Sequence, residues 1–115
     1  MGDLDYRRYG RQIALPEVGA AGQRSLASTA VRFVPAFGAD DVVARAEQLH
    51  RRAGGIIDDS AEVVLRVPRV RTVPAQLGVA AAYAIEAARR VLGQPARDVP
   101  DELVAQLDEL GENAP

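Results

Sequence analysis

The residues Ala30-Val31-Arg32-Phe33-Val34-Pro35 decide what kind of fold this chain can take. Val31 and Val34 are β-branched, Phe33 is aromatic and Pro35 closes the run, so positions 30–34 read as a strand. Asp40 and Asp41 follow at a helix start, where negative charge complements the macrodipole. Val42, Val43, Ala46, Leu49 and Ala53 then share one face, which predicts a helix over 40–53. Arg51 and Arg52 fall in its last turn, and Gly54-Gly55 stops it. His50, the only histidine of the chain, is placed on the polar side beside those arginines.

Working outward, Ile56-Ile57 reads as a brief strand or strand edge, followed by Asp58-Asp59. Glu62 to Val67 is a second strand and Val70 to Val73 a third, with Pro68 marking a bend or an edge position. Pro74 suits the first position of a helix running from Ala75 to Leu92 and stopped by Gly93. The interior of that helix, Leu77 to Ile85, is apolar on nearly all sides, which predicts burial against the sheet and against a second subunit. A linker over 94–99 leads to an acidic amphipathic helix from Pro100 to Leu110, and the last five residues form a frayed end. Upstream, residues 3–14 read as a short helix capped by Asp3 and ended by Leu15-Pro16. Glu17 to Gly22 then make a turn, and Gln23 to Ser28 one helical turn. This order of elements gives a small α/β unit.

At 115 residues the chain is one domain with a modest core. Apolar residues make up 48% of it, but 21 of them are alanine and only five residues are aromatic, so the core is built from small side chains in close contact. A thin core of that kind gains from a partner's surface. The net charge of −2 gives no attraction to nucleic acid or anionic lipid. Arg66, Arg69 and Arg71 have no aromatics interleaved with them, so they read as a charged, protected strand edge rather than an RNA surface. All 14 basic residues are arginine, and there is no cysteine. Schiff-base, thioester, disulfide and Cys-type zinc chemistry are therefore excluded. His50 alone does not make a metal site or a Ser-His pair. The longest apolar run, Val79 to Ile85, is far shorter than the ~20 residues needed to span a bilayer. The N-terminus is charged and lacks an apolar signal core, so a cytoplasmic location and no membrane association are expected.

One stretch carries more than composition. Residues 7–23 read Arg7-Arg8-Tyr9-Gly10-Arg11-Gln12-Ile13-Ala14-Leu15-Pro16-Glu17-Val18-Gly19-Ala20-Ala21-Gly22-Gln23. Later, in the same order, comes Ile85-Glu86-Ala87-Ala88-Arg89-Arg90-Val91-Leu92-Gly93. Together these resemble the opening helix and turn, and the closing helix, of the ThiF/MoeB/HesA family, bacterial relatives of ubiquitin-activating enzymes. The resemblance implies a small Rossmann-like unit over residues 1–96, with an N-terminal helix, a few-stranded sheet and alanine-rich C-terminal helices. Residues 97–115 would be an acidic C-terminal helix and tail.

Enzymes of that family adenylate the C-terminus of a ubiquitin-like carrier, using ATP and Mg²⁺. In them a glycine-rich turn after the first strand receives phosphate. The matching stretch here is Pro35-Ala36-Phe37-Gly38-Ala39-Asp40, in which only Gly38 remains and Asp40-Asp41 oppose phosphate. Asp58 stands where the family holds ribose, or it belongs to an ordinary solvated Asp-Asp turn. The family's lysine is absent. The resemblance assigns Arg8 and Arg11 to a helix whose second arginine reaches into a partner's nucleotide site; otherwise Arg11 forms a surface ion pair with Glu17. It places Tyr9, Ile13, Leu15, Tyr83 and Glu86 on the partner-binding side. The expected function is a non-catalytic dimerisation or scaffold module with no cofactor, pairing with itself or with a full-length activating enzyme. The alternative is a subunit of a composite adenylating enzyme for a ubiquitin-like carrier or peptide, donating Arg11 in trans.

Overall fold

The structure, a computed structural model, describes residues 19–112. The helix expected over 3–14 lies outside the described residues. Seven elements follow in order: α1 (Ala20–Ser28), β1 (Ala30–Pro35), α2 (Asp40–Arg52), β2 (Ile56–Ile57), β3 (Val63–Val67), α3 (Val73–Val91) and α4 (Asp101–Glu112). The fold is α/β, as expected. All strands are parallel, in the order β2-β1-β3. Val31 pairs with Ile57 on one side and with Val63 on the other. β2 therefore ends at the level where β3 begins, and the short 58–62 link can join them without a crossover helix.

Strand alternation sets the layers. Val31 and Phe33 of β1 and Leu65 and Val67 of β3 are buried under α2 and α3, while Arg32, Val64 and Arg66 are exposed on the other side. The register sets Arg32 beside Val64 and Val34 beside Arg66 on that open face. Among the described residues the sheet is thus clad by helices on one face only. The core beneath α2 and α3 is made by Val42, Val43 and Ala46 of α2 with Ala75, Val79, Ala80 and Ala87 of α3. These small residues let the helices and sheet approach closely, as the alanine content implies.

Both core helices end in the same way. Gly54 has φ +98° and Gly93 has φ +80°, the left-handed conformation that glycine adopts without strain. After each, the chain folds back on the last helical carbonyls. Gly55 N donates to His50 O at 2.9 Å and Gly54 N to Arg51 O at 2.9 Å; Gln94 N and Gly93 N do the same to Arg89 O and Arg90 O. These paired bonds satisfy carbonyls that the helix leaves open.

Several sequence expectations are corrected. Residues 70–73 form no strand: the Arg71 and Thr72 N–H groups both donate to Asp108 Oδ1, at 2.8 and 3.2 Å, and the helix already begins at Val73. Thr72 caps it, with Oγ1 accepting from Ala75 N at 3.3 Å. α1 starts at Ala20, inside the segment expected as a turn. α4 continues to Glu112 rather than fraying after Leu110. Gly111 there lies so close to Thr72 that a Cβ would overlap the threonine side chain, and Glu112 Oε1 meets Arg71 Nη2 at 2.9 Å. His50 is not on a polar face: it is 1% exposed, because it continues the stripe through Val43 and Ala46. α3 is not buried all round. Leu107 of α4 packs over Gly78, yet Val73, Leu77 and Ile85 remain 58%, 51% and 63% exposed.

Candidate functional site

The β1–α2 turn is where a parallel α/β unit would meet a phosphate. Ala36 N donates to Val67 O and Ala39 N to Ala36 O, both at 2.9 Å, which ties the turn to the end of β3. Gly38 takes φ +80°, and the Arg69 side chain lies against it: a Cβ there would be 3.2 Å from Arg69 Cδ. Phe37 is 95% exposed at the tip. Asp40 and Asp41 occupy the first turn of α2, whose N-cap, Ala39, supplies no side-chain cap. These residues do not fit a nucleotide triphosphate, because two carboxylates occupy the place where the helix dipole would draw the anion.

Asp58 is exposed and makes a local turn, its Oδ1 accepting from Ser60 N at 3.1 Å. Its own N–H donates to Val31 O at 3.1 Å. Gly38 follows the far end of β1. The strand from Val31 to Pro35 alone spans about 13 Å at ~3.3 Å per residue, so the structure does not bring Gly38 and Asp58 together.

Tyr83 and Glu86 do come together, in a groove of about 490 Å³ between β3, α3 and residues 97–101. Glu86 is 5% exposed. Its Oε1 accepts from Arg97 N at 2.7 Å and from Arg90 Nε at 3.1 Å, and its Oε2 lies 3.5 Å from Arg89 Nε. Arg90 also donates through Nη1 to Val64 O at 3.3 Å. One carboxylate therefore ties α3 to the 94–100 segment and, through Arg90, to the outer edge of β3. Tyr83 faces the same groove with its phenol held in the protonated form: burial raises its pKa, Asp101 and Asp98 raise it further, and Arg90 opposes them.

The third feature is a ridge on α3. Val73, Leu77, Ala81 and Ile85 recur every four residues and, Ala81 apart, are exposed. With Ile56 and Val64 on the open sheet face, 41% and 40% exposed, they are the chain's uncovered apolar surface among the described residues of the sheet and α3.

Arg8, Arg11, Tyr9, Ile13 and Leu15 lie outside the described residues. Among the described residues no group of three or more His, Asp or Glu side chains could hold a metal ion, and no helix is long and apolar enough to cross a membrane. Asp108 and the Gly55–His50 contact were not singled out from sequence. An aspartate flanked by the leucines of an amphipathic stripe, and a histidine seven residues after Val43, were the available signals. No family model, no curated protein and no solved structure matches the chain.

Proposed function

We propose that this chain is a non-catalytic, ThiF/MoeB-like association module that pairs with a second copy of itself or with an intact activating enzyme of that family. The observation that carries this reading is the bare face of the parallel sheet. Parallel sheets occur almost only with both faces covered, and among the described residues no helix lies over Ile56, Val34 and Val64. The exposed α3 ridge adds a second apolar surface, on the helix that carries the family-like word Ile85 to Gly93.

The chemistry at the β1–α2 turn supports the non-catalytic half of the proposal. Phosphoryl and adenylyl transfer need positive charge and a metal around the phosphates. The turn instead offers Phe37, Asp40 and Asp41, and the chain has no lysine. The test is ATP–pyrophosphate exchange by the isolated chain with a carrier C-terminal peptide. No exchange above background is expected; clear exchange would overturn the proposal.

A further inference from the structure

His50 is the least explained side chain in the described structure. It is 1% exposed, and neither ring nitrogen has a hydrogen-bond partner among the described residues. One face of the problem is aromatic: Phe33 stands edge-on to the ring, with centroids 6.1 Å apart and planes at 78°. The other is main chain. A Cβ on Gly55 would overlap the imidazole, so only glycine lets the turn close over it.

The same residue is tied to that turn twice. His50 O accepts from Gly55 N at 2.9 Å, while its ring lies under Gly55. The next two residues are the whole of β2, held to β1 by the register of Ala30 with Ile56 and Val31 with Ile57. Beyond them, Asp58 N donates to Val31 O. β2 is short, lies at a sheet edge and leaves Ile56 half open, so lifting it disturbs far less of the core than any other strand would.

A neutral imidazole leaves one donor and one acceptor unpaired in this enclosure, a smaller cost than an unpaired charge. An imidazolium has two N–H donors and a charge, and a buried charge without a partner is costly. Among the described residues no ion bonds to it. The surrounding elements carry Glu47, Arg51 and Arg52 on α2, Arg32 on the opposite face of β1, and Asp58 and Asp59 after β2. Arg24 lies on α1, and Glu86, Arg89 and Arg90 form their own knot on α3. None bonds to the ring, and burial is the one cause that lowers its pKa.

We propose that His50 and the Gly54–Gly55 turn form an acid-operated latch, in which proton uptake by the ring lifts the turn, detaches β2 and bares the Ala30–Val31 edge of β1. The left-handed Gly54 is the hinge, because glycine moves between backbone regions without a side-chain barrier. Above the ordinary imidazole range the latch stays shut. Below it, the open form gains protons that the closed form excludes.

A single histidine makes the test direct. The ring's NMR signals and the exchange of the Gly55 and Asp58 amides would be followed from about pH 7.5 to about pH 5.5, after correction for intrinsic exchange. Proton linkage to an open-state imidazole of pKa ~6.5 raises the opening constant about tenfold over that range. The expected result is that Gly55 and Asp58 open much more often than the slowest core amides, and that this local opening carries the tenfold pH dependence. PH-independent local opening, exchange only through global unfolding, or a ring that titrates near pH 6.5 while these amides stay protected would each overturn the latch. In His50→Leu the pH dependence should vanish from a folded protein; its persistence would also overturn the proposal. If that variant does not fold, the wild-type comparison decides alone.

Discussion

Asp108→Ala should be among the most damaging single substitutions outside the core. The carboxylate is on α4, yet it serves the start of α3: Oδ1 accepts from Arg71 N at 2.8 Å and Thr72 N at 3.2 Å, with Oδ2 3.8 Å from Arg71 Nε. The residue is 7% exposed, so water does not replace it without α4 moving. Hydrogen bonds to a charged group contribute roughly 1.5–3 kcal/mol each. Both share one oxygen, and Arg71 can be rehydrated, so their loss together is worth about 3 kcal/mol. The exposed Arg71–Glu112 pair adds under about 1 kcal/mol. For a domain of this size each kcal/mol moves the melting temperature by roughly 4–8 °C, so Asp108→Ala should melt about 12–24 °C lower than wild type. Asp108→Asn keeps an acceptor and should cost about 1 kcal/mol, and Glu112→Ala less still. Thermal unfolding followed by circular dichroism reads all three. An Asp108→Ala protein within ~0.5 kcal/mol of wild type, or one no worse than Glu112→Ala, would refute the assignment of α4 as the clasp on α3.

Further expectations follow from the same contacts. Gly55→Ala should destabilise by about 1–3 kcal/mol, as overpacking does, because the added Cβ meets the His50 ring; a neutral result in urea denaturation would contradict that contact. Stability should fall in acid. Burial holds the folded His50 pKa below the ordinary imidazole value of about 6.5, so the unfolded chain binds the extra proton and the contribution is fully present above about pH 6.5. It is then lost by at most about 1.4 kcal/mol per pH unit as pH drops toward the folded value. A flat profile from pH 7 to 5, read by urea midpoints, would contradict the burial of a neutral ring. Glu86→Gln should loosen the 94–100 segment, read as faster exchange of the Arg97 amide with little change in core amides; unchanged Arg97 protection would count against the knot. Leu77→Glu with Ile85→Glu should leave stability within about 1 kcal/mol of wild type, since surface changes are usually within ±0.5 kcal/mol each, while weakening self-association.

Much of the fold was readable because local periodicity agreed with tertiary packing. Val31-Arg32-Phe33 and Leu65-Arg66-Val67 alternate with period two, and the structure buries the apolar member each time. The glycines after α2 and α3 mark their ends correctly. What failed was non-local. Val70 to Val73 has strand-like residues, but the acceptor that claims its amides sits on α4, 36 and 37 positions along the chain. Residue type favours a polar face for His50, but its position continues the Val43–Ala46 stripe, and the missing Cβ at Gly55 leaves room for its burial. The long α3 is apolar on nearly all sides in sequence, and nothing local marks which arc α4 covers. Glu86 lies in a readable helix, but its partner at Arg97 depends on how the linker returns.

The most direct test of the functional claim is sedimentation equilibrium of the full chain across the micromolar range, beside the Leu77→Glu, Ile85→Glu form. Wild type should approach twice the 12.3 kDa chain mass as concentration rises, with the substituted form shifted toward the monomer. A wild-type chain that stays at 12.3 kDa at every concentration would contradict pairing through the open sheet face and the α3 ridge.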